Sequence, residues 1–349
     1  MIYLDYAAHT PVVPTVLEEF CRTELKYFAS PMSIHQAGQA AQAVLDQNTK
    51  KIKNLLSADD AELTFTSGAT EANRLAIMNL AQIGRHKGKH IIATCLEHPS
   101  VTAPLADLKN QGYEIELADI LPNGTIDLEH LGTLLRDDTT LLTLPWIDSE
   151  LGTIQPIIKV IELLKNYPNC YFHVDAAQAV GKIPVKFDGI DSLSFSPHKF
   201  YGICGIGGLL SSKVYDGHKG TPALALITST CKALELTNYQ PPEWRNIVID
   251  ALKDKLQINS PVEGSPYILN LSAFGIKGTA FQEALSKRGI CVSVKSACSA
   301  VGTLSRPVFA ISRDRKRAMN SWRVSFSHLT TAEEIEKFIK ACEEIIEKV

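Results

Sequence analysis

Short apolar segments alternate with longer amphipathic ones over residues 62–212. Apolar runs at 63–66, 90–94, 113–117, 140–144 and 171–174 predict β-strands, and helical patterns lie between them, for instance at 70–83 and 99–109. Near-continuous apolar strands that alternate with helices are typical of a mostly parallel sheet with helices on both faces. The pattern therefore predicts an α/β fold in which ligands bind beyond the carboxyl ends of the strands.

The pattern differs on either side of this region. Amphipathic helices are predicted at 14–26 and 33–56. After about residue 212, a helical region at 222–258 precedes a helix at 280–288 and strands at 267–271, 290–293 and 322–326. Thr331 and Glu334 have the spacing of a capping box, so the last helix is expected to begin there. We predict a large domain at 12–212 and a smaller α+β domain formed by 1–11 and 213–349.

Composition argues against several classes of function. The net charge of −3 over 349 residues gives no electrostatic reason to expect nucleic-acid or anionic-membrane binding. The first residues lack the pattern of a signal peptide, and no apolar run approaches the roughly 20 residues that span a bilayer. Eight cysteines without a Cys-x-x-Cys pair favour free thiols over a disulfide framework or a zinc site. We expect a cytoplasmic protein with no membrane, metal or direct nucleic-acid partner.

The stretch 191–208 contains the first candidate for chemistry. Its apolar run ends in Ser196-Pro197-His198-Lys199, and a loop with four glycines follows. Pro197 cannot continue a central strand, so the chain turns there. A lysine between a strand end and a tight loop is easily desolvated, and desolvation disfavours the ammonium form, as a Schiff-base lysine requires. Lys199 could also be an exposed loop lysine, because lysine is rarely buried.

A carboxylate and an anion site are predicted at two other strand ends. Asp175 ends one apolar run, and a buried aspartate needs a partner, for which the protonated ring nitrogen of pyridoxal phosphate is suited. Asp175 could instead cap the next turn. At 66–71, small residues leave backbone N–H groups free at a helix start, which suits a phosphate. An ordinary turn with Ser67 as helix N-cap has the same pattern.

His98 lies at a further strand end, within Glu97-His98-Pro99. Its imidazole could stack on a flat cofactor or shuttle a proton, although a lone histidine is more often structural. An anion site, a carboxylate and a lysine are thus all predicted at strand ends of one sheet. Such a combination rarely arises by chance, so we interpret the three groups as parts of one site.

This combination resembles the fold-type-I pyridoxal-phosphate enzymes of the class-V aminotransferase branch, and most closely the NifS/IscS-like cysteine desulfurases. The separation of Asp175 and Lys199, 24 positions, is typical of this branch. The family's motifs occur in order and nearly end to end: YLDYAAHTP (3–11), TSGATEAN (66–73), EHP (97–99), HVDAAQ (173–178), SFSPHK (194–199), SACS (296–299) and WRVSFSHLTT (322–331). The resemblance implies a large domain with a mostly parallel sheet between helices, a smaller C-terminal α+β domain, and pyridoxal 5'-phosphate as cofactor.

The family's residue roles can be carried over to the matching positions. The catalytic residues would be Lys199, which holds the cofactor covalently and moves the α-proton, His98, which stacks on its ring, and Cys298. Asp175 would pair with the ring nitrogen and Gln178 with the phenolic oxygen. Ala69, Thr70, Ser196 and His198 would hold the phosphate, together with Thr221 of the neighbouring subunit in a homodimer. Arg323, with Ser149, would bind the carboxylate of L-cysteine. Cys298 would take the sulfur as a persulfide and pass it to an acceptor protein.

Cys298 has chemical requirements that can be stated without the family. Only a thiolate is nucleophilic, and a nearby cation such as Lys295 favours it. The following segment, through Arg317, is basic and long enough to be a mobile arm. We hypothesise that this loop keeps Cys298 reactive and lets it reach an acceptor. Cys298 could also be one more small buried residue.

The sequence departs from the family pattern at four places. Asp148 and Ser149 stand where two asparagines are usual, and the shorter Ser149 changes how a substrate is positioned. The glycine-rich segment that ends at Thr221 is shortened, which affects the phosphate contact between subunits. Residues 29–31 replace Gly-Asn-Pro, and 294–295 replace small residues beside the cysteine loop. Such a chain could be a specialised, slower or partner-dependent desulfurase.

The sequence is therefore compatible with three functions. The first is a desulfurase that delivers sulfur to an acceptor whose identity the sequence does not give. The second is another class-V activity, such as a selenocysteine lyase, a β-lyase or an aminotransferase, in which Cys298 is incidental. The third is a non-catalytic relative without cofactor that acts as a binding module.

Overall fold

A computed structural model of the chain describes residues 1–213, 220–237, 240–295 and 303–348. Its strands are β1 (Ile2–Tyr3), β2 (Glu62–Thr66), β3 (His90–Thr94), β4 (Glu114–Ala118), β5 (Thr139–Pro145), β6 (Tyr171–Asp175), β7 (Ser192–Phe195), β8 (Gly207–Ser211), β9 (Leu256–Ile258), β10 (Ile268–Ala273), β11 (Ile290–Cys291) and β12 (Ser321–Ser325). The strands predicted between 63 and 174 all form, each within one residue of its expected bounds.

The helices follow the same chain order. They are α1 (Pro14–Lys26), α2 (Gln36–Leu55), α3 (Ala69–Gly84), α4 (Pro99–Asn110), α5 (Leu128–Leu134), α6 (Ile157–Leu164), α7 (Leu224–Glu235), α8 (Trp244–Leu252), α9 (Gly278–Ser286), α10 (Arg306–Ser312), α11 (Arg315–Met319) and α12 (Ala332–Ile346). A 3-10 turn, Pro197–Lys199, follows β7. No helix in the described ranges combines the length and the apolar character needed to cross a membrane.

A seven-stranded sheet in the order β2-β8-β7-β6-β5-β3-β4 is the centre of the larger part of the molecule. The pairs from β4 to β7 are parallel, and only β8 runs antiparallel to its neighbours, so the predicted mostly parallel sheet is confirmed. Asp175, the last residue of β6, lies opposite Pro145 on one side and Ser194 on the other. The carboxyl ends of β5, β6 and β7 therefore meet at one edge.

Both faces of this sheet are covered, as its sequence pattern requires. Neighbouring residues of one strand enter different cores: Ile91 and Leu141 pack with α3 and α4, whereas Ile92 and Leu142 pack in the core on the opposite face. This alternation follows from the two-residue repeat of a strand. It explains why the central strands are apolar at nearly every position and are buried throughout β3 and β5.

A separate core lies beneath the second group of strands. β10 pairs antiparallel with β9 and β12, and β1 pairs with β11. Trp322 stacks on Phe281 with ring centroids 4.7 Å apart, and Leu4 from the chain start is buried in the same core. The predicted capping box at Thr331 and Glu334 is present at the start of α12.

The division into two domains stays a proposal, and the core residues bear on where its boundary lies. Helix α7 lies after residue 212 but packs against α1 and α2, and its Ile227 and Leu234 belong to the core of the large sheet. We propose a two-domain organisation in which the change of core follows α7.

Three expectations from the sequence were wrong. The single helical region at 222–258 is two helices and a strand, because Pro241 and Pro242 cannot continue a helix. The strand at 290–293 is shorter, ending at Cys291. The expected mobile arm does not extend to Arg317, since 306–312 and 315–319 are helices. Ser305 and Asp314 cap them by accepting hydrogen bonds from backbone N–H groups.

Candidate active site

A cavity of about 360 Å³ opens where the strands of the large sheet end. It is lined by nine residues proposed from the sequence: Ala69, Thr70, His98, Ser149, Asp175, Gln178, His198, Lys199 and Arg323. They reach it from separate elements, because strand ends and the helix starts after them converge at this edge. Ser196 is buried beneath the cavity, with its Oγ 2.8 Å from Nδ1 of His198.

Lys199 ends the 3-10 turn after β7 and is half-buried. Its Nζ donates to the carbonyl oxygen of Ala7 at 3.0 Å. The chain start also fixes the turn itself, since Thr10 donates from both N and Oγ1 to the carbonyl of His198 and accepts from the N–H of Tyr201. The lysine is therefore held inside the cavity rather than on an open loop.

Asp175 caps the turn after β6 and also lines the cavity. Its Oδ1 accepts from the backbone N–H of Ala177 at 3.0 Å, which caps the turn after β6. Its Oδ2 accepts from Nδ2 of Asn73 at 2.8 Å, and the residue also lines the cavity. A carboxylate oxygen has room for a second donor, so the cap leaves the group able to bind a ligand.

His98 is both a structural cap and part of the cavity wall. It is the N-cap of α4, where Nδ1 accepts from the N–H of Ser100 at 3.1 Å. Burial lowers the pKa of His98, and the positive charges of Lys199 and Arg306 act in the same direction, although Asp175 opposes them. The imidazole is therefore neutral near pH 7.

The end of the cavity beside α3 suits an anion. Gly68, not Ser67, is the N-cap, and it supplies no side-chain acceptor for the first N–H groups of the helix. A Cβ on Gly207 would lie 2.4 Å from the carbonyl carbon of Gly68, so strand β8 can pass this close only as glycine. Burial, followed by the charge of Lys199, lowers the pKa of His198 to about 4, which keeps its imidazole neutral.

A second lysine, not foreseen from the sequence, lies behind Gln178. Lys182 Nζ donates to Gln178 Oε1 at 2.7 Å, while Gln178 Nε2 donates to the Ala7 carbonyl at 2.8 Å. Burial lowers the pKa of Lys182 well below its usual value, and the charges of Lys199 and Arg323 add to the effect. The i, i+4 spacing of Gln178 and Lys182 was the only signal in the sequence.

Arg323, on β12, reaches the cavity from the other core and is almost fully buried. Its Nη2 forms an ion pair with Asp5 Oδ1 at 2.9 Å, and Nη1 donates to the carbonyl of Ser149 at 2.8 Å. Nε has no partner in the described part of the chain. The role of Asp5 was missed because it is far from Arg323 in sequence.

Three buried acids lie beside this cavity and were also missed. A neighbouring cavity of about 400 Å³ shares Leu96, His98 and Ser149 with the first and is lined by Glu97 and Glu150. Burial raises the pKa of Glu97 well above its usual value, raises that of Glu150, and raises that of Asp148 to about 7. Burial therefore favours the protonated, neutral forms of Glu97, Asp148 and Glu150 beside the binding groups.

Among the proposed site residues that the structure describes, Thr221 is not brought to this cavity. Thr221 is exposed and lines a different cavity near Phe20 and Tyr27, so its contact in a second subunit stays a prediction.

Cys298 lies in 296–302, outside the residues described. The two flanks of that segment meet, because Lys295 Nζ donates to the carbonyl of Thr303 at 2.8 Å. The seven cysteines that are described all carry free thiols.

Known proteins resemble this chain over nearly its whole length. The family model named aminotransferase class-V matches residues 2–245. A protein of Dictyoglomus turgidum named cysteine desulfurase IscS is 34% identical, with 100% of this chain and 95% of the relative covered. A solved structure described as a NifS-like protein superimposes with a TM-score of 0.91 at 28% identity and covers 100% of both chains. Another, described as SspA in complex with cysteine, has a TM-score of 0.82 at 28% identity and covers 93% of this chain and 99% of its own.

Proposed function

Because this chain belongs to the class-V aminotransferase family, we propose that it is a pyridoxal-phosphate-dependent cysteine desulfurase. The relatives confirm the resemblance found in the motifs. The observation that carries the proposal is that Lys199 and Asp175 line one cavity from neighbouring strand ends, with Arg323 at the same cavity. The substrate is supported by a relative named as a cysteine desulfurase and by a similar structure described in complex with cysteine.

The residues of the cavity fit pyridoxal phosphate. The cofactor needs an amine for its aldehyde, a carboxylate for its ring nitrogen and a site for its phosphate. Lys199, Asp175 and the start of α3 at Ala69 and Thr70 provide these groups in one cavity of suitable size. Ser196 and His198 would assist at the phosphate, Gln178 would donate to the phenolic oxygen, and neutral His98 would lie against the ring.

Arg323 is suited to hold the substrate carboxylate. Only two of its N–H groups are used, by Asp5 and by the Ser149 carbonyl, and Nε is left without a partner among the described residues. A planar guanidinium that retains free donors can bind a carboxylate through two hydrogen bonds. The bound carboxylate would direct the amino end of L-cysteine towards Lys199.

The chemistry is divided between the cofactor and the chain. When bound, pyridoxal phosphate supplies an electron sink that acidifies the α-carbon of the substrate and weakens its carbon–sulfur bond. Lys199 takes and returns the proton at that carbon, and the enclosed cavity limits the access of water. The thiolate of Cys298 attacks the substrate sulfur and the carbon–sulfur bond breaks, so that L-cysteine and the enzyme thiol become L-alanine and an enzyme persulfide.

The localisation, the oligomeric state and the acceptor of the enzyme are inferred from the family. We infer a cytoplasmic homodimer in which Thr221 of each subunit assists the phosphate site of the other, and a persulfide on Cys298 that passes to an acceptor protein. The contact between Lys295 and Thr303 is compatible with this role, because it brings together the two described residues that flank 296–302. A cation at position 295, three residues before Cys298 in the sequence, would favour its thiolate.

Intact-mass spectrometry after exposure to L-cysteine tests the proposal. We expect the wild-type protein to release alanine and to gain one sulfur atom, and the Cys298→Ala variant to do neither. Lys199→Ala should abolish alanine release and persulfide formation alike. Alanine release that survives in Cys298→Ala, or amino transfer to an added keto acid, would indicate another class-V activity. A protein that stays colourless with added pyridoxal phosphate would indicate the non-catalytic alternative.

A further inference from the structure

Asn73 is completely buried on α3, where this helix packs on the neighbouring strands β6 and β7. All four of its hydrogen-bonding positions are used. Nδ2 donates to Asp175 Oδ2 and to Ser100 Oγ, both at 2.8 Å. Oδ1 accepts from Ser194 Oγ and from His173 Nε2, the latter at 3.0 Å.

The orientation of this amide follows from its partners. An ionised carboxylate only accepts hydrogen bonds, so the atom of Asn73 that faces Asp175 must be the amide nitrogen. The amide oxygen then faces His173, whose Nε2 must carry its proton. Burial lowers the pKa of His173 to about 4, so this ring has a single proton, and its Nδ1 accepts from Ser192 Oγ at 2.7 Å. The hydrogen bonds around Asn73 are therefore all satisfied in only one orientation of its amide and one tautomer of His173.

The same network reaches His98 through Ser100. Because Ser100 Oγ accepts from Asn73, its own hydrogen is available to His98 Nδ1 at 2.8 Å. The backbone N–H of Ser100 points at the same ring nitrogen. A nitrogen that accepts from two donors carries no proton, so neutral His98 must carry its proton on Nε2.

We propose that Asn73 is a positioning residue that aligns the carboxylate of Asp175 for the cofactor ring nitrogen and, through Ser100 Oγ, adds to the hydrogen bonds that keep the proton of His98 on Nε2. This inference deepens the proposed function and rests on it for the identity of the ligand. The part that concerns His98 depends only on this chain's own residues. The amide therefore contacts Asp175 directly and His98 through Ser100, the two groups that would face the cofactor ring.

Asn73→Asp tests the proposal with an almost isosteric change, because it replaces the donating nitrogen with a second acceptor facing Asp175. Asn79→Asp is the matched control, since Asn79 lies on the same helix and donates only to the carbonyl of Leu75. We expect the dissociation constant for pyridoxal phosphate to rise by about tenfold or more in Asn73→Asp, as for loss of one charge-assisted hydrogen bond. The absorption maximum of the bound cofactor should also move, while Asn79→Asp stays like wild type.

A purely structural role for Asn73 would lower the melting temperature but leave the affinity and absorption of the bound cofactor at wild-type values, and that result would overturn the proposal. A second measurement needs no cofactor. Nitrogen NMR of histidine-labelled wild-type protein, with His98→Gln to assign the signal, should show the Nε2–H form of His98. Finding the Nδ1–H form would overturn the inference, whereas absence of cofactor binding in the wild type would instead count against the proposed function.

Discussion

The guanidinium of Arg323 is paired with the carboxylate of Asp5, which lies 2.9 Å away although the two residues are 318 positions apart. The pair ties the chain start to β12 and sets the orientation of the arginine at the cavity. Asp5 is itself held by Ser293, whose Oγ donates to Oδ2 at 2.7 Å. The chain start is therefore part of the candidate active site, through Asp5 and through the Ala7 carbonyl that accepts from Lys199.

Asp5→Asn should destabilise the protein and weaken substrate binding. Arg323 is only 2% exposed, so removing its counter-charge leaves a buried cation uncompensated, at a cost of about 3 kcal/mol in the free energy of unfolding. Ser293→Ala removes a neutral hydrogen bond from the same carboxylate and should cost about 1 kcal/mol. Chemical denaturation of both variants measures the difference. Equal losses would show that the charge of Asp5 is unimportant.

Lys182→Met should weaken cofactor binding without loss of stability. The amide of Gln178 is held at both ends, because Lys182 donates to its oxygen and the Ala7 carbonyl accepts from its nitrogen. Lys182→Met removes one of these two partners, so the amide is held less firmly and we expect a severalfold rise in the dissociation constant for pyridoxal phosphate. The melting temperature should not fall, because burial already disfavours the ammonium form of Lys182. Lys186→Met, at an exposed position, is the control. Unchanged affinity in Lys182→Met would contradict this account.

Ser149→Asn should lower KM for L-cysteine severalfold, because it restores the longer amide that the resembling family usually carries at this point of the cavity. Ser149→Ala is the matched control. Arg323 binds the backbone carbonyl of Ser149 and not its hydroxyl, so loss of the hydroxyl should leave KM nearly unchanged. Steady-state kinetics of alanine release decide the question. A higher KM in Ser149→Asn would mean that the departure at this position is an adaptation to a different substrate pose.

Asp148→Asn should flatten the dependence of stability on pH. Burial raises the pKa of Asp148 from 3.8 to about 7, so between these values the folded protein keeps a proton that the unfolded chain has released. Unfolding then releases a proton, and the free energy of unfolding falls as pH rises through this window, by at most about 1.4 kcal/mol per pH unit from this group. The asparagine variant should lose that slope and be more stable than wild type above pH 7.

Denaturation curves at several pH values between 4 and 8 measure this effect. Asp60→Asn, at an exposed position, should reproduce the wild-type slope. Glu97 and Glu150 are also buried acids with raised pKa values, so part of the wild-type slope should persist in Asp148→Asn. An unaltered slope in Asp148→Asn would show that Asp148 is ionised throughout this range in the folded protein.

The sequence predicted the parts of the fold that depend on local pattern. The bounds of α1 and β3 were predicted without error, and Asp175 and Lys199 were placed at strand ends from apolar runs and a proline alone. Short helices were missed because their signals are single capping residues, Ser305 and Asp314, which look like ordinary loop residues. Helix α7 was assigned past a domain boundary because sequence order does not reveal which core a helix packs on.

The rest of the candidate site depends on contacts between distant parts of the chain. The motifs gave the residues that would touch the cofactor, but not those that hold them in place. Asn73 lies within a recognised motif, yet only the folded chain brings it against Asp175, 102 positions away. The buried acids Glu97, Asp148 and Glu150 resemble ordinary polar residues in the sequence, since burial is a tertiary property.

The most direct test of the account is to identify the amine that binds pyridoxal phosphate. The protein is incubated with the cofactor, reduced with borohydride and digested, and the labelled peptide is sequenced by mass spectrometry. The account predicts a pyridoxyl group on Lys199 and its loss in Lys199→Arg, with Lys182 unlabelled. A label on Lys182, or no label on either lysine at saturating cofactor, would contradict it.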